Sequence, residues 1–349
     1  MTTIKSETPL VDLAVVIGRW QLLSKDGHGP MFAKAFEVAQ RVLIVIGSAY
    51  RSRNTRNPFT WQERRDMILL TLTPEQRERV EFLPVRDYYD DERWNEAVRA
   101  GVASHVARGA KVTLVGWKKD DTSDYLDNFP GWTSTEVPPT VDIDATSLRN
   151  VFFGSEHLDA ALMVLKAYVD ERVLGYLDAW SHLPVFAARK AEHLAVEAYK
   201  KKWGAGPFLT ADAVVSIKDY VLLVRRGGVI GHDLWALPGG HVNPNEQFYP
   251  AALRELKEET GFAKMPETMK AALKEAVMFD HALRSPRARV VTVAHHFDFG
   301  DVELPDDLKA ADDAKELKFF HKSQLKSMAE AGELFEDHDV VLDRFFGIF

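Results

Sequence analysis

At 349 residues the chain exceeds what one core of average size accommodates, so two domains are expected. Hydrophobic residues make up 46% and charged residues 28%, and the formal net charge of −8 argues against a general nucleic-acid binder while leaving room for a local anion site. There is no cysteine, which excludes disulfides, thiol nucleophiles and cysteine-ligated zinc and fits a reducing, cytoplasmic setting. Met1–Leu10 shows no basic-then-apolar leader, and the longest apolar runs, such as Val42–Ile46, are too short to span a bilayer, so no membrane association is expected.

In chain order, Leu13–Ile17 is an apolar strand ended by Gly18, followed by helical spacing around Met31–Gln40. A second strand, Val42–Ile46, ends at Gly47. Helical pattern returns at Trp61–Leu72, then a strand at Val80–Val85, a helix at Arg93–Ala107 and a strand at Lys111–Val115 ended by Gly116. Strands alternating with helices at this spacing predict an open parallel α/β sheet, whose ligands lie at the carboxyl ends of the strands, where Gly18, Gly47 and Gly116 fall. Glu156–Lys202 reads as helical with a break near His182–Pro184. Strand signals resume at Phe208–Ile217 and Tyr220–Val224 after the Gly204, Gly206, Pro207 cluster. The remainder holds a Gly-rich turn, one strong helix, and strands near Val277–Asp280 and Val290–Phe299, a mixed sheet with few helices. The expected division is 10–155, a helical bridge over 156–203, and 204–349.

The pattern Gly240-x5-Glu246-x7-Arg254-Glu255-Leu256-x-Glu258-Glu259-x-Gly261-Phe262 carries the most chemistry. Glu255, Glu258 and Glu259 are spaced to project from one helix face, and three adjacent carboxylates repel one another unless a hard cation, Mg2+ or Mn2+, neutralises them. Such an ion neutralises a diphosphate and activates water. Arg254, four residues before Glu258 and eight after Glu246, is spaced to orient carboxylates. Gly239 and Gly240 allow a tight loop with a backbone carbonyl free for the metal. The bland reading, a solvated acidic helix, does not account for so many fixed positions preceded by Trp235-Ala-Leu-Pro-Gly-Gly. The pattern resembles the Nudix hydrolase signature. The resemblance implies metal-dependent hydrolysis of a nucleoside-diphosphate linkage, with Glu255, Glu258, Glu259, Arg254 and Glu246 catalytic and Gly239, Glu255, Glu258 and Glu259 around the metal.

The first half resembles the nicotinamide mononucleotide adenylyltransferases. The carriers are Gly18-Arg19-Trp20-Gln21 with Gly27-His28, Gly47-Ser48 with Ser52-Arg53, and Asn57-Pro58-Phe59-Thr60-x-x-Glu63-Arg64. They continue in Val115-Gly116-x-Lys118-Lys119-Asp120, Tyr125-Leu126, Phe129-Pro130-x-Trp132 and Ala145-Thr146-Ser147-Leu148-Arg149. The resemblance implies a Rossmann-like nucleotidyltransferase domain that joins ATP to nicotinamide mononucleotide, giving NAD and pyrophosphate. Arg19, Ser147 and Arg149 would then hold triphosphate oxygens, with Gly18 also in the nucleotide site, His28 would contact the reacting phosphate, and Asn57 and Trp117 the nicotinamide side. The chain departs from the family's His-x-Gly-His: Lys25 stands three residues before His28, so the motif is degenerate and Lys25 is the candidate substitute donor.

Together the halves resemble bifunctional adenylyltransferase–Nudix proteins of NAD metabolism. That implies ADP-ribose as the hydrolysed substrate, yielding AMP and ribose 5-phosphate, with Arg284 and Arg287 as ligands for phosphate or ribose oxygens. The expected fold is a parallel-sheet Rossmann-like domain joined to a Nudix α/β/α sandwich with a mixed sheet. The expected partners are ADP-ribose, ATP and nicotinamide mononucleotide, with no nucleic acid and a homo-oligomer left open. The competing readings are an N-terminal domain that senses nucleotide without turning it over, and a hydrolase acting on NADH or another nucleoside-diphosphate derivative.

Overall fold

The computed structural model describes residues 11–117, 128–138 and 144–349. Lys118, Lys119, Asp120, Tyr125 and Leu126 of the first-half motif lie outside the described residues. The chain divides into two compact units, Met1–Ala49 with Pro58–Ala187, and Tyr50–Asn57 with Ala188–Phe349.

The first unit runs β1 (Val11–Gly18), α1 (Gly29–Val38), β2 (Ala39–Ile46), α2 (Trp61–Thr71), α3 (Pro74–Arg77), β3 (Val80–Pro84), α4 (Asp91–His105), β4 (Val112–Gly116), β5 (Thr133–Glu136), α5 (Ala145–Gly154), α6 (Leu158–Leu165) and α7 (Glu171–Ser181). The strands pair in the order β3-β2-β1-β4-β5, and every pairing is parallel. This is the doubly wound arrangement, whose order reverses between β1 and β4 and opens a crevice at their carboxyl ends. Both faces are covered: Ala14, Val16, Ile44 and Phe152 belong to one core, and Leu13, Val15, Leu43 and Val98 to the other. Strands apolar on both faces are what a sheet sandwiched between helices requires. Helix α2 starts at a capping box, with Thr60 Oγ1 accepting from Glu63 N–H and Glu63 Oε2 accepting from Thr60 N–H at 2.8 Å. The other Glu63 oxygen accepts from Trp180 Nε1 at 2.8 Å, so the same carboxylate ties α7 to the start of α2. Helices α6 and α7 bury Leu165, Val173, Leu177 and Trp180 in the first unit's core.

Helix α8 (Pro184–Trp203) leads into β6 (Phe208–Ile217), β7 (Tyr220–Arg226), β8 (Trp235–Ala236), β9 (Gly239–His241), α9 (Phe248–Thr260), α10 (Pro266–Ala272), β10 (Leu273–Phe279), β11 (Val290–Asp298), β12 (Ala314–His321), α11 (Lys322–Glu330) and α12 (His338–Phe346). The division between units falls at Ala187/Ala188, inside α8. The sheet order is β10-β11-β6-β7-β12, with β8 on β7 and β9 on β6; β11–β6 is parallel and the other pairings are antiparallel. One face packs on α9 and α10 through Leu256, Phe262 and Met269, the other on α11 and α12 through Leu325, Val341 and Leu342. The result is an α/β/α sandwich. It has more helix than the sequence pattern implied, because α10, α11 and α12 are short and lack long periodic runs. His295 and His296 in β11 point to opposite faces, His295 against Tyr249 and His296 against Phe345 and Phe346, so both pack.

Candidate functional site

In the second unit the site is built on α9. Ala251, Ala252, Leu256 and Thr260 face the core, and burying a residue such as Leu256 contributes about 1.5–3 kcal/mol. The helix stops at Gly261, which takes the left-handed conformation at φ 70 and lets Phe262 turn back into the core. These anchors fix the direction in which the carboxylates project.

Arg254 lies at the centre. It donates to both oxygens of Glu246 at 2.8 Å, to Glu255 Oε1 at 2.7 Å, to Glu258 Oε2 at 2.9 Å and to the His241 carbonyl at 3.0 Å. Hydrogen bonds from Arg254 and from the Asn243 N–H hold the Glu246 carboxyl down to about 2. Glu255 is pushed up by burial, against the pull of Arg254. Glu259 is 4% exposed and accepts from Gly239 N–H at 3.1 Å; burial first, and then Asp313, pushes its carboxyl up to about 9.

Among the described residues no group of three or more His, Asp or Glu side chains is drawn together as a metal cluster. Arg254 bridges Glu255 and Glu258 and balances the charge that these two carboxylates bring together. The residues nevertheless fit a hard divalent ion. All the side-chain donors are carboxylate oxygens, and Glu259 is a carboxyl whose anion the protein alone stabilises poorly. The loop opposite is shaped for close approach, since a Cβ on Gly240 would lie 2.6–2.7 Å from the Glu255 carboxylate. Were such an ion bound, Glu255, Glu258 and Glu259 are the residues that could hold it, and Gly239 is placed next to them by its N–H on Glu259.

Beside this loop runs a narrow cleft lined by Asp212, Arg226, Gly240, Arg287, Glu336 and His338. Arg284 lines it too, but its guanidinium is 5% exposed and donates twice to Asp337, at 2.9 and 2.8 Å. Arg287 donates to Glu336 at 3.1 and 3.2 Å. Of the two arginines singled out in the sequence, Arg284 is thus a buried ion-paired wall, and Arg287 is half-buried beside Arg226. Asp212, pushed up to about 6 by burial, accepts from Thr292 Oγ1 at 2.6 Å. His338, held well below its ordinary value by burial, accepts from Leu237 N–H at 2.8 Å through Nδ1 and so braces the loop that carries Gly239. Asp212, Arg226, Glu336, Asp337 and His338 escape sequence reasoning. One signal exists for Asp212, a lone acid inside the apolar strand Phe208–Ile217, and one for the others, the dense Glu336-Asp337-His338-Asp339 run before an apolar helix.

In the first unit, the carboxyl ends of β1 and β2 are pinned by Arg64. This 1% exposed guanidinium donates to the carbonyls of Arg19 at 2.6 Å, Gly47 at 2.7 Å and Ser48 at 3.1 Å, and burial lowers it to about 9. Arg19 itself is exposed beside Gly18. His28 sits under Trp20, ring centroids 5.3 Å apart, and its Nδ1 accepts from Ser24 N–H at 2.9 Å. Burial lowers His28 to about 4, which leaves Nε2 as the N–H of a neutral ring. Lys25 is exposed and joins His28, Phe32, Leu72 and Asp170 around a cavity of about 200 Å³. At the start of α5, Ser147 N–H is taken by Asp144 Oδ1 at 2.7 Å, and Arg149, 4% exposed, donates to Thr146 at 3.1 Å. Asn57 falls in the second unit, with its N–H on Asn54 Oδ1 at 2.9 Å.

A parallel sheet with its order reversal at β1/β4 and a mixed-sheet sandwich carrying the α9 signature define a two-domain nucleotide enzyme, a nucleotidyltransferase fold followed by a Nudix hydrolase fold. The NUDIX domain family matches residues 207–345. Over 168 residues the chain is 32% identical to the nicotinamide/nicotinic acid mononucleotide adenylyltransferase of Acinetobacter baylyi, covering 46% of this chain and 89% of that protein. Over 123 residues it is 30% identical to the ADP-ribose pyrophosphatase of Methanocaldococcus jannaschii, covering 35% of this chain and 67% of that protein. The crystal structure of a bifunctional NMN adenylyltransferase/ADP ribose pyrophosphatase from Francisella tularensis, complexed with AMP and a Mn ion, superposes with a TM-score of 0.88 at 30% identity, over 97% of this chain and 99% of that one. The chain belongs to the family of bifunctional NMN adenylyltransferase/ADP-ribose pyrophosphatases. No helix among the described residues is long and apolar enough to cross a membrane.

Proposed function

We propose that this enzyme hydrolyses ADP-ribose to AMP and ribose 5-phosphate in its second unit and joins ATP to nicotinamide mononucleotide in its first, as a cytoplasmic enzyme of NAD metabolism. The observation that carries the hydrolase reading is the Arg254-centred set of Glu246, Glu255 and Glu258 with Glu259 held at the Gly239 loop. In the reaction, water attacks one phosphorus of the diphosphate, the bond to the bridging oxygen breaks with its electron pair staying on the leaving phosphate, and the protons of the attacking water pass to solvent. Glu255, Glu258 and Glu259 would hold a Mg2+ or Mn2+ ion, which when bound would supply neutralisation of the diphosphate charge. Arg254 keeps Glu255 and Glu258 in place and is itself held by Glu246, so the carboxylates stay aligned through turnover. Arg226 and Arg287 offer the cleft positive charge toward a phosphate or ribose oxygen. The test is Glu259→Gln: turnover of ADP-ribose is abolished with the thermal unfolding profile preserved, and wild-type-like turnover would remove Glu259 from the mechanism.

In the first unit Arg19 is the exposed cation at the end of β1, and Arg64 holds the carbonyls that follow β1 and β2 so that this strand end keeps its shape. The neutral His28 ring has a donor at Nε2 for a phosphate oxygen, and Lys25 adds the charge that the degenerate motif lacks in its other histidine. Formation of NAD from ATP, nicotinamide mononucleotide and Mg2+ by the full chain supports this reading; nucleotide binding without product would make the first unit a sensor.

A further inference from the structure

The segment Tyr50–Asn57 connects β2 to α2 in sequence, and its motif residues Ser52, Arg53 and Asn57 read as part of the transferase. By contacts it forms one compact unit with Ala188–Phe349. Arg51, whose side chain is 5% exposed, donates to Asp339 Oδ1 at 2.6 Å and to the Glu336 carbonyl at 3.0 Å. Arg56 donates to the Leu283 carbonyl at 2.7 Å, one residue before Arg284. The backbone also packs closely, since a Cβ on Gly332 would meet the Arg51 carbonyl at 3.3 Å.

Both segments so gripped carry the wall of the hydrolase cleft. Within the Glu336–Asp339 run, Glu336 engages Arg287 and Ser285, Asp337 engages Arg284, His338 braces Leu237, and Asp339 receives Arg51. Glu336 sits at φ 45, a left-handed conformation that costs a non-glycine residue free energy and persists only where its surroundings dictate it. Arg51 grips that residue's own carbonyl.

We infer that Arg51 is a positioning residue for the hydrolase: by holding the Glu336 carbonyl and Asp339, it sets the wall of arginines and carboxylates against which the nucleotide lies. The inference rests on the hydrolase reading for its kinetic test and on geometry for its binding test. In the full-length protein, Arg51→Met is expected to raise KM for ADP-ribose about tenfold with kcat within twofold of wild type, because the α9 machinery is untouched. Asp339→Asn is expected to do the same, the double variant to add little, and Arg51→Lys to recover part of the loss. AMP affinity, measured by calorimetry in EDTA without turnover, is expected to weaken by the same factor. The inference is overturned if both single variants keep KM and AMP affinity within twofold of wild type, or if kcat falls while KM stays fixed. Should Arg51→Met fail to fold, Arg51→Lys and Asp339→Asn carry the same comparison. A wild-type protein that binds AMP but leaves ADP-ribose intact would sink the hydrolase reading alone, and the AMP affinities would still decide the role of Arg51.

Discussion

Asp337→Asn keeps the shape of the side chain and removes its charge, leaving Arg284 buried without its partner. The two side chains are 0% and 4% exposed and joined by two bonds of 2.8 and 2.9 Å, so neither gains water when the pair is broken. Removing one member of such a pair costs about 3–5 kcal/mol, because the survivor keeps its buried charge with only the through-space pull of Asp212 and Glu336 on it. For a unit of this size each kcal/mol lowers the unfolding midpoint by roughly 2–4 °C, so a drop of roughly 6–20 °C is expected. Differential scanning calorimetry reads it, and the transition of the second unit is recognised as the one that AMP shifts upward. The double variant Arg284→Met with Asp337→Leu should recover most of the loss, since an apolar pair of similar volume has no charge to desolvate. A midpoint for Asp337→Asn within 2 °C of wild type, or a double variant as unstable as the sum of the singles, would refute the argument that desolvation governs this wall.

Gly240→Ala places a methyl group 2.6–2.7 Å from the Glu255 carboxylate, which has to shift. Displacements of that order at a reacting centre cost about a hundredfold, so hydrolase kcat/KM should fall by about that factor with little change in midpoint; a loss under threefold would show that Glu255 moves freely. His28 supplies a pH dependence. Its folded value, about 4, lies below the ordinary 6.5, so the unfolded chain binds the proton first. The contribution is fully present above pH 6.5 and is lost as pH falls toward 4, at most about 3 kcal/mol. Comparing acid unfolding of the first unit in wild type and His28→Asn should show the variant with the shallower decline, and parallel curves would refute the burial of a neutral ring.

Much of this architecture is written locally. The apolar runs of β1, β2 and β4 are continuous because both faces of the sheet are covered, and the spacing in α9 repeats at the helical period. Elements without a local signature were not legible. Strand β5 reads Thr-Ser-Thr-Glu, and β12 interleaves lysine and glutamate with its apolar positions. The Arg254 contacts to Glu246 and Glu258 were readable because one loop and one helix supply all of them. Asp212, Arg226 and His338 were not, since they come from distant elements and meet only when the sheet is assembled.

The grip of Arg51 on Asp339 joins residues 288 apart in sequence. A chain is made from its amino end, and loop closure over such a separation comes late. During synthesis the Tyr50–Asn57 segment therefore leaves the ribosome long before the Glu336–Asp339 run it holds exists. The cleft wall acquires its form only once the Glu336–Asp339 run has been made, so the hydrolase site is finished long after the segment that braces it.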